Sequence, residues 1–362
     1  MGHVWFPEGG ISVSEKTTSG RRQFKGLAAA VLLAAAFPAA SVAQNDLLEL
    51  RLAVADGDVN PVTDSVLKLA DSLGYYERHG VRVTIVPLEG TPQAVAALTS
   101  GAVDLADISI DAALRLRAEN NVALRGVASA TLGPPFLIAA RCDVASVADL
   151  VGKTYAISDN GGLDHNLTQH VLAANGVARD GPEYVVIGPP AVRAQALAAG
   201  QVDATTISYG SFLPIAQTPG LCILVPPDQF FEAAPNQSKF VVALEETIDG
   251  NREAIQRFVN AIVEASRDFD QDPAAWVAVM AEIRTDLTAE GLQATTPLLE
   301  GRWCVNGCLN VGYIQGTVDF IYDSPDFAGV PVITAADVTD ETFVLSAIGA
   351  LGPFEGGGID AR

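Results

Sequence analysis

Residues 97–109 read ALTSGAVDLADIS, and residues 196–208 read ALAAGQVDATTIS. Aligned without a gap, seven of the thirteen positions are identical: Ala97/Ala196, Leu98/Leu197, Gly101/Gly200, Val103/Val202, Asp104/Asp203, Ile108/Ile207 and Ser109/Ser208. Each copy reads as a helix stopped by glycine, a short apolar strand, and a closing serine. A spacing of 99 residues is too long for a solenoid repeat and fits two similar lobes.

Working outward, each copy follows a strand and a loop with glycine and proline, Val83 to Thr91 and Tyr184 to Pro190. Upstream, Glu49 to Ala55 reads as a strand, Val62 to Arg78 as a helix and Val81 to Val86 as a second strand. Thr91 suits an N-cap and Pro92 the first helical position. Strands alternating with helices predict α/β architecture with parallel sheets, whose ligands sit at the carboxyl ends of the strands. Pro135 to Ala140 and Phe240 to Leu244 are apolar runs on either side of the second copy. If the chain enters the second lobe at one and returns at the other, they form a two-stranded hinge. The reading is therefore two Rossmann-like lobes: lobe 1 is residues 44–137 plus 243–362, and lobe 2 is residues 138–242. Glu253 to Phe269 is an amphipathic helix, Trp276 to Ile283 lies in another, and the tail from Glu355 to Arg362 looks loose.

The bulk numbers narrow the function. A net charge of −21 repels nucleic acid and anionic membrane surfaces. With 49 % hydrophobic and 18 % charged residues the chain can bury substantial cores. The apolar run Leu27 to Ala40 is too short to span a bilayer, where roughly 20 residues are needed. It follows Arg21, Arg22 and Lys25 and precedes Ser41-Val42-Ala43, the layout of a secretory signal peptide over residues 1–43. Ser19 to Lys25 resembles a twin-arginine signal, with an ordinary Sec signal as the alternative. Cleavage after Ala43 removes four basic and two acidic residues and takes the net charge from −21 to −23. Export to the periplasm makes disulfides plausible. Cys304 and Cys308 flank Val305-Asn306-Gly307, a turn sequence, and are expected to pair; Cys142 and Cys222 are left open. No second ligand pair supports zinc, and no metal or cofactor is expected.

Further stretches carry a family resemblance: Leu73-Gly74-Tyr75-Tyr76-Glu77-Arg78-His79-Gly80-Val81, then Gly90 to Ser109, then Val147-Ala148-Asp149-Leu150-Val151-Gly152-Lys153, then Ala196 to Asp203. In this order they resemble the periplasmic binding proteins of the nitrate/sulfonate/taurine and thiamine-pyrimidine-precursor type. The resemblance spans most of residues 48–270 and is weak beyond. It implies the periplasmic binding protein-like II fold, a ligand cleft between lobes, closure on binding, and delivery to an ABC permease with its ATPase. A monomer is expected.

Candidate ligand contacts follow from strand ends and helix starts. Asp56 follows the first strand. Gly90 and Thr91 open a helix whose free N–H groups suit a polar ligand group, although Thr91 also reads as a plain N-cap. Ser109 and Ser208 are the paired strand ends of the two lobes, placed either to donate to ligand from opposite walls or merely to cap a helix. The loop Ser158-Asp159-Asn160-Gly161-Gly162-Leu163-Asp164-His165 has two glycines that let backbone approach a ligand, and the resemblance puts this loop in the cleft. Tyr209 suits stacking on a flat ligand or core packing. Phe230, Phe231 and Asn236 are weaker candidates for the mouth. Arg141 and Arg193 cannot be oriented from sequence, and no other arginine sits plainly at a strand end, which tilts the cargo toward a neutral or weakly acidic organic molecule.

Catalytic signatures are scarce: no G-x-S-x-G, P-loop or H-E-x-x-H occurs. The leading reading is a solute-binding receptor and not an enzyme, for a sulfonate, carboxylate, aromatic or pyrimidine-like cargo. The rivals are a same-fold enzyme of thiamine-pyrimidine or menaquinone-type biosynthesis, and a periplasmic sensory protein.

Overall fold

A computed structural model describes residues 47–360 except Pro134, Asn236, Gly356 and Gly357. The expected signal peptide and Asn236 lie outside the described residues. The strands are β1 (Leu48–Val54), β2 (Val81–Pro87), β3 (Leu105–Ser109), β4 (Leu124–Ala128), β5 (Phe136–Arg141), β6 (Thr154–Ile157), β7 (Glu183–Val186), β8 (Ala204–Ser208), β9 (Leu221–Val225) and β10 (Lys239–Leu244). They form two five-stranded sheets, ordered β2-β1-β3-β10-β4 and β7-β6-β8-β5-β9. A lobe here means one sheet with the helices packed on it.

The repeated segments occupy the same place in both sheets. The helices before β3 and β8 are α3 (Thr91–Thr99) and α6 (Pro190–Ala198). Both are followed by a glycine in the left-handed region, Gly101 at φ 73° and Gly200 at φ 69°, where a side chain would be strained. The repeated aspartate has one job in each copy. Asp104 accepts from the Arg51 N–H at 2.8 Å, and Asp203 accepts from the Thr154 N–H at 3.0 Å. Each thereby ties its strand to the neighbouring parallel strand, so the Val-Asp pair is a fastening of the fold.

The hinge segments differ from expectation. β5 and β10 do not pair with each other. β10 runs antiparallel between β3 and β4 in lobe 1, and β5 runs antiparallel between β8 and β9 in lobe 2. The reason is symmetry: each is the antiparallel strand beside its lobe's repeat strand. The chain crosses between sheets in the stretches 129–135 and 226–238.

The predicted helix over Val62 to Arg78 is two helices, α1 (Ser65–Ser72) and α2 (Tyr75–Arg78), separated by Gly74 at φ 71°. The break aims two tyrosines at α9 (Glu245–Gln271). Tyr76 stacks on Phe258 at 5.6 Å, and the Tyr75 hydroxyl donates to Asp268 at 2.6 Å. In α9 the apolar stripe Ile255, Phe258, Val259, Ile262 and Val263 is buried throughout, as its spacing predicts. The other helices of the site region are α4 (Ile110–Ala118), α5 (Leu163–Ala174) and α7 (Tyr209–Phe212); α8 (Pro227–Ala233) leads back to lobe 1. The C-terminal helices α10 (Pro273–Ile283), α11 (Ala289–Leu299), α12 (Val311–Tyr322), α13 (Ala335–Val338) and α14 (Thr342–Leu351) extend the single large core of lobe 1. Lobe 2 instead has two small clusters.

Cys304 is bonded to Cys308, and Cys142 to Cys222. The tail is not loose at its described end. The buried Asp360 carboxylate accepts from the N–H groups of Asn306 and Cys308, because the tight disulfide loop leaves those donors without partners of its own. Among the described residues, no helix is long and apolar enough to cross a membrane.

Candidate functional site

A cavity of about 400 Å³ lies where the strand ends of the two sheets face each other. Lobe 1 supplies the loops after β1, β2 and β3, and lobe 2 those after β6, β7 and β8, as expected for parallel sheets. Ten of the twelve sequence-predicted ligand residues line it: Asp56, Gly90, Thr91 and Ser109 from lobe 1, and Ser158, Asn160, Gly161, Gly162, Asp164 and Ser208 from lobe 2.

His165 and Tyr209 are not in the lining. His165 lies behind the loop. Its Nδ1 accepts from the Gly161 N–H at 2.9 Å, its ring meets Tyr184 edge-on at 4.5 Å, and it sits 3.7 Å from the Asp326 carboxylate. Burial lowers its pKa against the pull of Asp326 and Asp164, so the neutral ring that accepts from Gly161 is favoured. Tyr209 turns toward Phe212 because Ser208, one residue earlier, already ends the strand. Phe230 packs on Phe136 at 6.0 Å and Phe231 lies under Arg302, so neither reaches the mouth.

The glycine loop is built by Asp164. Its carboxylate accepts from the Ser158 N–H at 2.9 Å and from the Ser158 hydroxyl, and Arg193 lies 3.5 Å away. Gly161 is left-handed at φ 72°. A Cβ on Gly162 would lie 2.9 Å from Ser158 Oγ, so only glycine lets the turn pack this tightly. Thr91 makes no capping bond; Gly90 holds the N-cap position and Thr91 is the first helical residue.

Sequence reasoning missed Asn60, Asp111, Arg115 and Lys239. Asn60 joins the lobes. Its Nδ2 donates to Ser208 Oγ at 3.2 Å and Ser211 Oγ at 3.1 Å in lobe 2, and to Asp56 at 3.2 Å in lobe 1. Gly210 makes the approach possible, since a Cβ there would lie 2.3 Å from Asn60 Oδ1. The only sequence signal for Asn60 was its place in the loop after β1. Lys239 was hidden because it opens an apolar strand.

Beneath the lobe 1 wall lies a charge network. Lys68 pairs with the fully buried Asp64 at 3.0 Å, and Lys239 with Asp107 at 3.4 Å. Burial raises the Asp64 pKa to about 7 against Lys68. Burial likewise raises Asp56 against Lys239 and Lys68. For Lys239, burial pulls downward but Asp107, Asp56 and Asp64 outweigh it, and the ammonium is held.

The arginines left open by the sequence are now placed. Arg193 lines the cavity but is committed: Nε donates to Thr205 at 3.2 Å and Nη2 to the Thr206 carbonyl at 3.1 Å, beside Asp164. Arg141 lies at the exposed end of β5 with Asp143. Arg115 lines the cavity and donates to the Asp326 carbonyl at 2.6 Å over the Phe327 ring. Among the described residues, no group of three or more His, Cys, Asp or Glu could hold a metal ion.

Several solved structures share the fold. The alkanesulfonate-binding protein SsuA from Xanthomonas axonopodis pv. citri bound to MOPS is 22 % identical over 81 % of this chain and 98 % of its own, with a TM-score of 0.64. The periplasmic nitrate-binding protein NrtA from Synechocystis PCC 6803 is 14 % identical over 85 % and 90 %, with a TM-score of 0.67. The periplasmic aliphatic sulphonate binding protein SsuA from Escherichia coli is 20 % identical over 80 % and 95 %, with a TM-score of 0.59. No curated protein sequence matches the chain. Residues 65–275 match the family described as NMT1/THI5 like, which is more than half of the chain, and the chain belongs to that family.

Proposed function

We propose that the protein is an extracytoplasmic solute receptor of an ABC importer, holding one small organic molecule between its lobes and passing it to a permease with its ATPase. The observation that carries this reading is the cavity itself. It has the size of a small-molecule site, takes its lining from equivalent loops of both sheets, and is bridged by Asn60. The similar solved structures, described as sulfonate- and nitrate-binding proteins, support it. In this reading the lobes open and close by bending at the crossings 129–135 and 226–238, each ending a few residues before the boundaries 137 and 243 expected from sequence. Ligand favours closure only through contacts it makes to both lobes. The protein acts as a monomer in the periplasm.

The test is a thermal-shift screen of the protein starting at Gln44, over sulfonates, nitrate, carboxylates, aromatic acids, pyrimidines and flavins. A ligand at a hundredfold excess over its Kd stabilises by about 2.7 kcal/mol. A saturable shift with the compound recovered unchanged supports the receptor. Chemical turnover of a binder would overturn it in favour of the enzyme reading.

A further inference from the structure

The cavity wall has a marked charge imbalance. Five carboxylate residues line it, Asp56, Glu89, Asp111, Asp159 and Asp164, against three cations. Each cation is engaged by the protein: Arg193 by Asp164 and two threonines, Lys239 by Asp107, and Arg115 by the Asp326 carbonyl and Glu119. The network beneath adds Asp64 and Asp107 but only Lys68.

Asp111 stands out among the carboxylates. It is 6 % exposed, lines the cavity, and its Oδ1 has no hydrogen-bond partner. A buried carboxylate oxygen left unpaired forfeits the hydration it had in the unfolded chain, a loss that an incoming donor would recover. The Ser109 hydroxyl and the first backbone N–H groups of α4 hold the Asp111 carboxyl in place, which leaves Oδ1 as its open acceptor; Asp164 is engaged by Ser158 and Arg193.

Helix N-termini converge on the same cavity and oppose this preference for a donor by favouring an anion. Those of α4 and α5 already carry Asp111 and Asp164 in their first turns. Those of α3 and α6 each include a proline in the first turn, which removes a donor. What remains is a partial charge of about half a unit at each, facing a wall of carboxyl groups, of which burial raises the pKa of Asp111 and Asp56.

From this geometry we infer that the cavity takes a cationic ligand, an amine or amidine with a protonated nitrogen, with Asp111 as its anchor and Asp56 elsewhere in the same wall. This rests on the receptor reading and narrows the cargo class given by the sequence, from which sulfonates and carboxylates are dropped.

Calorimetric titration of the protein from Gln44 compares benzamidine and phenethylamine with benzoate and benzenesulfonate, four probes on one ring. The expected result is that a nitrogen probe binds at least tenfold tighter than either anion. Asp111→Asn should weaken that probe at least tenfold while the ligand-free variant melts no lower than wild type, because a buried charge has been removed. Tighter binding of benzoate or benzenesulfonate overturns the inference and leaves the receptor intact, since binding itself persists. Unchanged benzamidine affinity in Asp111→Asn, or a ligand-free variant that melts lower, assigns Asp111 a structural role and overturns it as well. Four silent probes reject the inference in this form and leave the receptor to its broader screen.

Discussion

Replacing Gly210 with alanine should pry the lobes apart. The added Cβ would lie 2.3 Å from Asn60 Oδ1 and 2.9 Å from Pro61 Cδ, so one lobe must retreat by about 1 Å to restore ordinary contact near 3.4 Å. Asn60 cannot rotate away without loss, because its Oδ1 also accepts from the Val62 N–H at 3.1 Å. A retreat of that size breaks its bonds to Ser208 and Ser211, now at 3.2 and 3.1 Å. At about 1 kcal/mol each, two lost bonds come to about 2 kcal/mol against the closed arrangement. That is roughly a thirtyfold shift toward the open one. Alanine is otherwise the better helix former, by about 0.5–1 kcal/mol, so any loss must come from the contact between lobes. Small-angle scattering should show a larger radius of gyration for Gly210→Ala. It should show no change for Gly57→Ala, where the added Cβ meets nothing within 4 Å. A Gly210→Ala curve superimposable on wild type, with an unchanged Tm, would refute the reasoning.

Other predictions follow from the same contacts. His170 stacks on Phe320 at 3.9 Å, and burial together with Arg179 lowers its pKa to about 4, against Asp323. Between about pH 6.5 and 4 the unfolded chain therefore binds a proton that the native chain refuses, so stability falls as pH drops through that window. His170→Phe keeps the stack and should flatten this part of a urea-denaturation pH profile. Removing Cys142–Cys222, which are 80 residues apart, should cost about 4.5 kcal/mol by loop entropy, against about 2 kcal/mol for Cys304–Cys308 at a separation of 4. Paired serine variants in chemical denaturation check the order, and equal losses would contradict it. Asp203→Ala removes an acceptor shared by the N–H and hydroxyl of Thr154 and should cost about 1–3 kcal/mol, with Thr154→Val recovering part of it. A loss below about 0.5 kcal/mol in the same assay would show that the repeated aspartate is dispensable.

The architecture was legible because its signals are local. Periodicity, the glycines at 101 and 200, and the duplicated Val-Asp pair each depend on residues a few positions apart. The cavity residues found from sequence were those that end strands or start helices, Asp56, Gly90, Ser109, the glycine loop and Ser208. Those missed depend on three-dimensional partners. Asn60 matters because of Ser208, 148 positions away, and Lys239 because of Asp107, 132 positions away. Arg193 was visible but not its engagement by Asp164, and the hinge segments could be seen as strands but not assigned to sheets. Asp360 looked like tail because its donors lie more than 50 residues upstream.

The placement of β10 also fixes an order of events during synthesis. Lobe 2 occupies an unbroken stretch of chain, so its sheet can assemble once β9 has emerged at Val225. Lobe 1 cannot follow the same course. β10 must be laid between β3 and β4, strands made more than a hundred residues earlier, so the first sheet waits with a gap in its middle. Such long-range pairing slows folding and leaves β3 and β4 with open edges in the meantime. A nascent chain halted before Lys239 would therefore hold one finished lobe and one half-built sheet, the state in which chaperone binding and proteolysis should concentrate.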